Sequence, residues 1–324
     1  MPLLTETPFL SIIVPIYNEA GNIAPLYDRV TAVMAEYGRS FEMILVNDGS
    51  RDQSEDEMTA IAAKDHRVKV VNFRRNYGQT AALMGGFNVA RGEIVVPMDG
   101  DLQNDPADIP ILVEKLGEGY AMVSGWRKDR KDNRFMRTIP SSIANWLISW
   151  SSGIDLHDHG CTLKAYRRDV INNIRLYGEM HRFIAIYVKW YGGTIAEVPV
   201  RHHPRTVGQS KYGINRIVKV ILDLAVVKFL EDFDTKPIYV FGVMGIISIL
   251  MSVVAFFLAM YQRIFEGISL IQTPLPLFSA ITFLVGLVCI LLGLLAEIMV
   301  RTYYESQNKQ TYLVRNTINI EPES

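Results

Sequence analysis

In the stretch EIVVPMDGDLQND, residues 93–105, a strand-like segment leads directly into a cluster of acidic residues. A short apolar run ends in three carboxylates, those of Asp99, Asp101 and Asp105. Two carboxylates separated by one glycine repel each other unless a cation neutralises them. Hard divalent ions take oxygen ligands and usually bridge to phosphates, and Gly100 would permit a close turn around such an ion. The stretch therefore predicts a Mg²⁺ or Mn²⁺ site after a buried strand.

Similar apolar strands recur through residues 1–200 and alternate with helix-like segments. The strands are FLSIIVPIY (9–17), FEMILVND (41–48), VKVVNF (68–73) and EIVVPMD (93–99). Between them, NIAPLYDRVTAVMAEY, SEDEMTAIAAKD and GQTAALMGGFNVAR have the spacing of helices. Near-continuous β-branched strands between helices are typical of a mostly parallel α/β sheet with both faces covered. Ligands of such sheets bind beyond the carboxyl ends of the strands, so the residues after each strand matter most.

Three of these strand ends carry carboxylates beside glycine or asparagine: PIYNEAGN (15–22), VNDGSRDQS (46–54) and MDGDLQND (98–105). The chain has neither GxGxxG nor GxxxxGK[ST], which disfavours a dinucleotide site and a P-loop. NDGS alone is better explained as a plain turn. DGD after a buried strand favours a metal.

Composition restricts the class of protein. The 324 residues carry a formal net charge of −1, so no overall basic field indicates nucleic acid. The two cysteines, Cys161 and Cys289, lie far apart in unlike surroundings, which gives no disulfide framework and indicates a reducing compartment. The N-terminal residues lack the basic start, apolar block and cleavage site of a signal peptide.

The last third of the chain differs from the rest. Residues 238–262 and 267–296 contain no charged side chain and are long enough to cross a bilayer, although two buried core helices are the alternative. Basic residues flank the open end of this predicted hairpin, and the connection holds only Arg263 and Glu266. The positive-inside rule then puts both termini in the cytoplasm. The expected organisation is a catalytic domain over 1–212, an amphipathic interfacial helix over 213–235, two transmembrane helices over 236–300 and a cytoplasmic tail over 301–324. A helix packed on the soluble domain is the alternative for 213–235.

Several motifs together resemble the inverting glycosyltransferases of family two, which have the A-type fold. They are SIIVPIYNEAGNI, LVNDGSRDQS, NFRRNYGQTAALMGGF and MDGDLQNDP, followed by DHGCTLKAYRRDV and VGQSKYG. With the two apolar spans, the chain resembles bacterial polyprenyl-phosphate glycosyltransferases, relatives of dolichol-phosphate mannose synthase. The resemblance covers nearly the whole chain. It implies transfer of a sugar from a nucleotide donor to undecaprenyl or another polyprenyl phosphate at the cytoplasmic face of the inner membrane.

The resemblance also implies roles for individual residues. On the donor side, Asp48 would contact the base, Asp99, Asp101 and Gln103 would hold the metal and diphosphate, and the first donor loop would comprise Pro15, Tyr17, Asn18 and Glu19. On the acceptor side, Arg127, Arg137 and Ser141 would bind the lipid phosphate, because phosphate suits planar donors and a hydroxyl. Separately from the resemblance, the glycine and polar residues of RHHPRTVGQSKYG (201–213) indicate a mobile loop that could fold over the diphosphate, with Arg201, Arg205, Ser210 and Lys211.

The catalytic pair implied by the resemblance is Asp101 and Asp158. Asp158 would lie near the anomeric carbon, and because a phosphate acceptor is already ionised, it would orient acceptor or sugar rather than take a proton. His157 and His159 flank Asp158, but neither HExxH nor a suitably spaced cysteine supports zinc. Asp105, directly before Pro106, is interpreted as a helix cap with proline at the first helical position.

The donor sugar and the rival functions stay open at this point. UDP-glucose is the first choice, with UDP-linked aminoarabinose, UDP-N-acetylglucosamine and GDP-mannose as alternatives. A processive polysaccharide synthase is a second hypothesis, but the chain lacks the Q-x-x-R-W motif and the additional spans of such enzymes. A non-catalytic nucleotide-sugar-binding membrane scaffold is the third, although it would be expected to have lost part of the metal motif. A homo-oligomer and a flippase acting on the product are further expectations.

Overall fold

The computed structural model describes residues 7–128, 153–174, 176, 180–204, 238–305 and 312–320. The chain forms two compact units. One comprises Met1–Ala225 together with Gln310–Ser324, and the other comprises Val226–Lys309.

The first unit is built on one eight-stranded sheet in the order β7-β5-β6-β4-β1-β2-β3-β8. Its strands are β1 Leu10–Ile16, β2 Phe41–Asn47, β3 Val68–Phe73, β4 Ile94–Pro97, β5 Met122–Trp126, β6 Lys164–Arg167, β7 Ile195–Pro199 and β8 Val314–Ile318. The predicted mostly parallel α/β sheet is confirmed. The four strands expected from residues 9–99 all form, within one or two residues of the predicted ends.

Helices connect these strands and cover the sheet. They are α1 Ile23–Tyr37, α2 Ser54–Lys64, α3 Gln79–Val89, α4 Ile109–Gly117, α5 Arg168–Ile171 and α6 Ile184–Trp190. In α1 the buried residues are Ile23, Leu26, Val30 and Met34, whose spacing places them on one face of the helix. This face joins the apolar core that lines one side of the sheet.

Strand direction determines which loops share an edge. The neighbouring pairs β4–β1, β1–β2 and β2–β3 are parallel, and so is the pair β5–β7. Strand β6 runs antiparallel to both β4 and β5. Its beginning, at Lys164, therefore lies at the same edge as the carboxyl ends of the parallel strands. This reversal brings the turn containing Asp158 to the edge where the metal motif lies.

Strand β8 was not expected from the sequence. Residues 301–324 were predicted to form a cytoplasmic tail, yet residues 314–318 pair antiparallel with β3 at the end of the sheet. The strand covers the backbone groups that an edge strand would otherwise expose. The predicted catalytic domain of 1–212 therefore lacked an element, because β8 is polar and mostly exposed and has no apolar strand signal. The predicted interfacial helix over 213–235 lies outside the described residues.

Tyr312, just before β8, ties the end of the chain to the sheet. Its ring stacks on Phe73 of β3 with centroids 4.6 Å apart, and its hydroxyl accepts a hydrogen bond from Asn88 Nδ2 at 2.7 Å. The side chain is buried, whereas its neighbour Leu313 is 59% exposed.

We expect Tyr312→Ala to destabilise the first unit by about 3–5 kcal/mol, because a buried aromatic ring is lost. Tyr312→Phe removes only one hydrogen bond and should cost about 1 kcal/mol. Leu313→Ala, the matched control, should change stability by less than about 0.5 kcal/mol. Thermal unfolding of the purified full chain in detergent gives the ranking. Equal melting temperatures for Tyr312→Ala and the control would contradict the packing described above.

The second unit contains two long helices, α7 Ile238–Phe265 and α8 Leu275–Glu305. Their segments Phe241–Phe265 and Leu275–Ala296 have mean hydropathies of 2.6 and 2.7, long and apolar enough to cross a membrane. Large apolar side chains on both helices, such as Phe257 and Leu284, are more than half exposed. Two buried core helices, the alternative from the sequence, should instead hide such side chains.

Small residues let α7 and α8 approach closely. A Cβ atom at Gly245 would lie 2.7 Å from Ile290 Cγ1 and 2.9 Å from the carbonyl oxygen of Gly286. Farther along, the hydroxyl oxygens of Ser252 and Ser279 are 3.1 Å apart. Small residues at such a contact allow the backbone approach that helices use to associate in lipid.

We expect Gly245→Leu to force the two helices apart, since no side chain fits at this contact. The reporter is disulfide formation in a Ser252→Cys/Ser279→Cys chain that also carries Cys289→Ser, measured in detergent. Gly245→Leu should lower the cross-linked fraction strongly. Gly242→Leu is the matched control on the same helix, because no heavy atom lies within 4 Å of a Cβ built there. Equal cross-linking in both chains would show that the Gly245 contact does not hold the pair together.

Candidate active site

Polar and charged residues collect at the carboxyl edge of the sheet. Tyr17 follows β1, Asp48 follows β2, Asp99 follows β4 and Arg127 follows β5 directly. Pro15 lies within β1, opposite Val46 of β2. Because these strands end at one edge, residues far apart in the sequence come together there.

The loop after β4 carries the predicted metal motif. Asp99 accepts a hydrogen bond from Gln79 Nε2 at 3.1 Å, and its backbone N–H donates to Asn104 Oδ1 at 3.1 Å. The buried side chain of Asp101 accepts from the backbone N–H of Gln103 at 3.2 Å. The loop is thus fixed by its own side chains before any ligand is considered.

Two backbone features make this loop compact. A Cβ atom at Gly100 would lie 2.7 Å from Ile16 Cδ1, so a larger residue would require the buried Ile16 side chain to shift. Leu102 has φ of 61°, a left-handed backbone conformation that residues other than glycine rarely adopt. Such strain concentrates at functional sites and requires the surrounding structure to enforce it.

The donor groups of this loop fit a divalent ion bound together with phosphate. Among the residues that the structure describes, no three His, Cys, Asp or Glu side chains form a metal-binding group by themselves. Asp99 and Asp101 offer two carboxylates, and Gln103 offers an amide oxygen because its Nε2 donates to the carbonyl of His203 at 3.4 Å. Mg²⁺ is usually bound by one or two carboxylates plus substrate phosphates, which this set satisfies.

The two predicted donor loops are hydrogen-bonded to each other. The backbone N–H of Asn18 donates to Ser50 Oγ at 3.1 Å, and Asn18 Oδ1 accepts from the N–H of Arg51 at 2.8 Å. The N–H of Glu19 donates to Ser54 Oγ at 3.0 Å. Asn18, in the loop after β1, has φ of 55° and so adopts the left-handed backbone conformation. The two strand ends consequently form one surface.

Asp48 is buried and anchors a third segment. Its carboxylate accepts from the backbone N–H groups of Tyr77 and Gly78, at 2.7 and 2.9 Å, and from Asn76 Nδ2 at 2.9 Å. Burial raises the pKa of Asp48, and the two backbone N–H groups oppose part of that rise. The structure thus gives Asp48 a role in shaping the loop before α3, which sequence reasoning missed.

Asp158 forms a bidentate ion pair with Arg127. Nε and Nη2 of Arg127 donate to the two carboxylate oxygens at 2.7 and 3.0 Å, and both side chains are largely buried. Burial alone would lower the pKa of Arg127, but the hydrogen bonds and charge of Asp158 outweigh it and raise that pKa, with Asp99 contributing more weakly. The ion pair joins a predicted acceptor residue to a predicted catalytic residue.

Two side chains that follow Asp158, those of His159 and Cys161, stay uncharged near neutral pH. Burial, reinforced by the nearby Lys164, lowers the pKa of His159 to about 4. Burial raises the pKa of the Cys161 thiol to about 11. A protonated buried thiol is not a nucleophile, and a buried neutral imidazole facing an ammonium is not a general acid. Asp158 is therefore the residue of this turn whose carboxylate forms an ion pair with Arg127.

Other predicted residues have different placements. Arg201 forms an ion pair with Asp108 at 2.8 Å and also approaches Asp105, so its guanidinium is bound to the segment after the metal motif. Asp105 accepts from the N–H of Ala107 with Pro106 at the start of the short helix, which confirms the predicted cap. It also contacts His203 at 3.1 Å. Five further residues of the predicted acceptor and loop set lie outside the described part of the chain: Arg137, Ser141, Arg205, Ser210 and Lys211. Of that set, only Arg127 and Arg201 are described.

Three residues of the site were not found from the sequence. Glu197 of β7 accepts from the backbone of residues 157 and 158, Lys164 of β6 donates to the carbonyls of residues 159 and 161, and Gln79 contacts Asp99. A single charged residue inside a short apolar strand was the available signal for Glu197. Lys164 begins a strand that also ends in Arg167, so its sequence gives still less indication of a buried charge. That signal is weak, because most such residues face solvent.

Comparisons with known proteins identify the class of protein that this fold and site define. The family model described as glycosyl transferase family 2 matches residues 11–175. A dodecaprenyl-phosphate galacturonate synthase of Rhizobium johnstonii is 40% identical over 311 residues, covering 94% of this chain and 92% of the relative. An undecaprenyl-phosphate 4-deoxy-4-formamido-L-arabinose transferase of Shewanella sediminis is 34% identical over 312 residues, covering 96% and 92%.

Solved structures agree on the fold. A mannosyl-3-phosphoglycerate synthase from Rubrobacter xylanophilus matches with a TM-score of 0.57 and 15% identity, covering 69% of this chain and 75% of that one. A glucosyl-3-phosphoglycerate synthase from Mycobacterium tuberculosis, solved with Mn²⁺, uridine diphosphate and phosphoglyceric acid, matches with a TM-score of 0.52 and 20% identity, covering 67% and 78%. At these identities the likeness establishes the fold alone.

The chain belongs to glycosyl transferase family 2. It is therefore a glycosyltransferase, as the sequence motifs predicted.

Proposed function

We propose that this chain transfers one sugar from a nucleotide sugar to a polyprenyl phosphate such as undecaprenyl phosphate, with inversion at the anomeric carbon. The observation that carries the proposal is the extent of the similarity. Relatives named for dodecaprenyl and undecaprenyl phosphate match more than nine-tenths of the chain, a length that includes both apolar helices as well as the sheet. The phosphoglycerate synthases share only the fold, so their soluble acceptor gives no support for a soluble acceptor here.

On the donor side, we assign the interlocked loops after β1 and β2 to the nucleotide. Asp99, Asp101 and Gln103 would hold Mg²⁺ or Mn²⁺ against the diphosphate. When bound, the ion offsets the negative charge that grows on the leaving diphosphate. The burial of Asp101 and the hydrogen bonds within its loop support this role, because a pre-ordered ligand loses little entropy on binding the ion.

On the acceptor side, Arg127 would serve both the lipid phosphate and Asp158. A guanidinium has five N–H donors, and the ion pair with Asp158 occupies two of them. The remaining donors suit a phosphate oxygen. A phosphate acceptor is already ionised near neutral pH, so we assign Asp158 to orienting the acceptor or the sugar. Arg137 and Ser141, outside the described residues, remain predicted partners of the same phosphate.

The membrane assignment follows from the acceptor. A polyprenyl chain keeps the acceptor phosphate at the bilayer surface, where α7 and α8 would anchor the enzyme. We propose the inner membrane, two spans and a cytoplasmic catalytic unit, on the basis of the basic residues that flank the hairpin. A product formed on the cytoplasmic side needs a flippase to reach the opposite leaflet.

The donor sugar is the finer part of the proposal. UDP-glucose is the donor predicted from the sequence. The names of the relatives add galacturonate and 4-deoxy-4-formamido-L-arabinose as competing sugars. These candidate sugars differ at one or two substituents of the ring. Identifying the donor therefore requires a direct comparison of nucleotide sugars.

The test is a donor panel. The purified full chain is incubated with undecaprenyl phosphate, Mg²⁺ or Mn²⁺, and in turn the UDP-linked forms of glucose, galacturonate, 4-deoxy-4-formamido-L-arabinose and N-acetylglucosamine, and GDP-mannose. Mass spectrometry of the lipid fraction should find one sugar per lipid phosphate with one preferred donor. A polymer would favour the processive synthase, and no lipid product from any donor would refute the proposal.

We expect Asp101→Asn to lower the transfer rate at least about 100-fold, because the neutral amide weakens binding of the ion that stabilises the leaving group. Nucleotide affinity, measured by calorimetry, should no longer increase when Mn²⁺ is added. The matched control is Asp105→Asn in the same loop, since asparagine also caps helices. It should keep most of the activity. Full activity of Asp101→Asn, or of the wild-type chain in EDTA, would overturn the metal assignment.

A further inference from the structure

The turn that carries Asp158, residues 157–161, is held on one side by Glu197 of β7. Glu197 Oε2 accepts from the backbone N–H of His157 at 3.1 Å, and Oε1 accepts from the N–H of Asp158 at 3.0 Å. The His157 ring also contacts Oε2 at 2.7 Å and stacks on Trp126. Each oxygen of one carboxylate thus binds one of two successive backbone N–H groups.

Lys164, the first residue of β6, holds the other side of the same turn. Its Nζ donates to the backbone carbonyl oxygens of His159 at 3.2 Å and Cys161 at 2.5 Å. The side chain is buried, and this burial lowers its pKa. A carboxylate therefore binds the N–H groups before and at Asp158, and an ammonium binds carbonyl groups after it.

Placing the charged side chains of Glu197 and Lys164 in the protein interior costs free energy. Moving a carboxylate or an ammonium out of water costs several kcal/mol, which well-packed apolar side chains of similar size would avoid. The Glu197 carboxylate and the Lys164 ammonium both form hydrogen bonds with backbone groups of residues 157–161. With Arg127 and Asp158 they form a group of two cations and two anions, so the charges balance locally. These contacts are directional hydrogen bonds to defined backbone atoms, whereas apolar packing is non-directional.

We propose that Glu197 and Lys164 are positioning residues of the transfer reaction, which clamp the backbone of residues 157–161 so that Asp158 meets Arg127 and the reacting groups in one orientation. The inference rests on the proposed function in one respect, namely that Asp158 acts at the reacting centre. A misplacement of about 1 Å at such a centre can cost 100-fold in rate.

The first test is Glu197→Gln, which keeps the size of the side chain but turns an NH₂ group toward one of the two backbone N–H donors. We expect kcat to fall about 10- to 100-fold while the donor KM stays within about twofold. Hydrogen exchange at the backbone of residues 157–158, measured by mass spectrometry on the full chain in detergent, should become faster. Glu118→Gln is the matched control, because this exposed carboxylate forms its ion pair with Lys115 on the surface helix α4. The control should change neither quantity.

The second test asks whether Glu197 acts through Asp158. In an Asp158→Ala chain, adding Glu197→Gln should lower kcat by less than about twofold, since the residue being positioned is already gone. Lys164→Met should lower kcat in the same way as Glu197→Gln. If the Lys164→Met chain does not fold, the kcat and hydrogen-exchange measurements on Glu197→Gln still decide the proposal.

Three results would overturn the proposal. Unchanged exchange in Glu197→Gln would show that the carboxylate does not hold the turn. Faster exchange with unchanged kcat, or full additivity with Asp158→Ala, would reduce Glu197 to a structural role. If the wild-type chain gives no lipid product with any donor, the proposed function fails instead. The exchange measurement needs no acceptor and still decides whether the clamp exists.

Discussion

The catalytic unit depends on one constraint: its parallel strands are buried on both faces, and their carboxyl ends lie at one edge of the sheet. Every residue of β1 except Pro15 is buried, and β2 and β3 are buried throughout. Charged side chains have no place along such strands unless they are paired. The first position open to them is the loop after each strand, which is where Asp48, Asp99 and Arg127 occur. The burial that stabilises the sheet therefore also places the charged side chains together at one edge of the sheet.

Charge balance then divides this edge into two parts. The Arg127 guanidinium forms an ion pair with the Asp158 carboxylate and interacts more weakly with Asp99. Its positive charge is therefore balanced mainly by Asp158. Lys164 and Glu197 balance each other around the same turn. Under the proposed function, a divalent ion bound with a diphosphate would add positive charge at the loop of Asp99 and Asp101, and it suits carboxylates in both charge and ligand type. The turn around Asp158 is held instead by charged side chains of the chain itself.

Periodicity and strand-end chemistry were enough to predict the parallel core and the position of the acidic loop after β4, because both signals are local in the sequence. The residues that hold Asp158 are not local. Glu197 lies 39 positions after Asp158, and their contact exists only because β7 joins β5 and β6 reverses direction. Strand β8 escaped prediction for a different reason. An edge strand that is exposed on most of its residues has no apolar pattern to find, and its partner β3 is recognisable only after the sheet is assembled.

Strand β8 also changes how the helical hairpin should be studied. The first unit consists of residues on both sides of α7 and α8, so the hairpin is an insertion within the chain of the catalytic unit. A fragment ending at residue 235 would lose the hairpin and also β8, Tyr312 and the contacts of Asn319 with the backbone of Ala62 and Val68. Poor transfer to a long polyprenyl phosphate by that fragment could reflect an exposed edge of β3 rather than the loss of a membrane anchor. A fragment that isolates the role of the hairpin must therefore replace residues 238–305 by a flexible linker and keep residues 312–320.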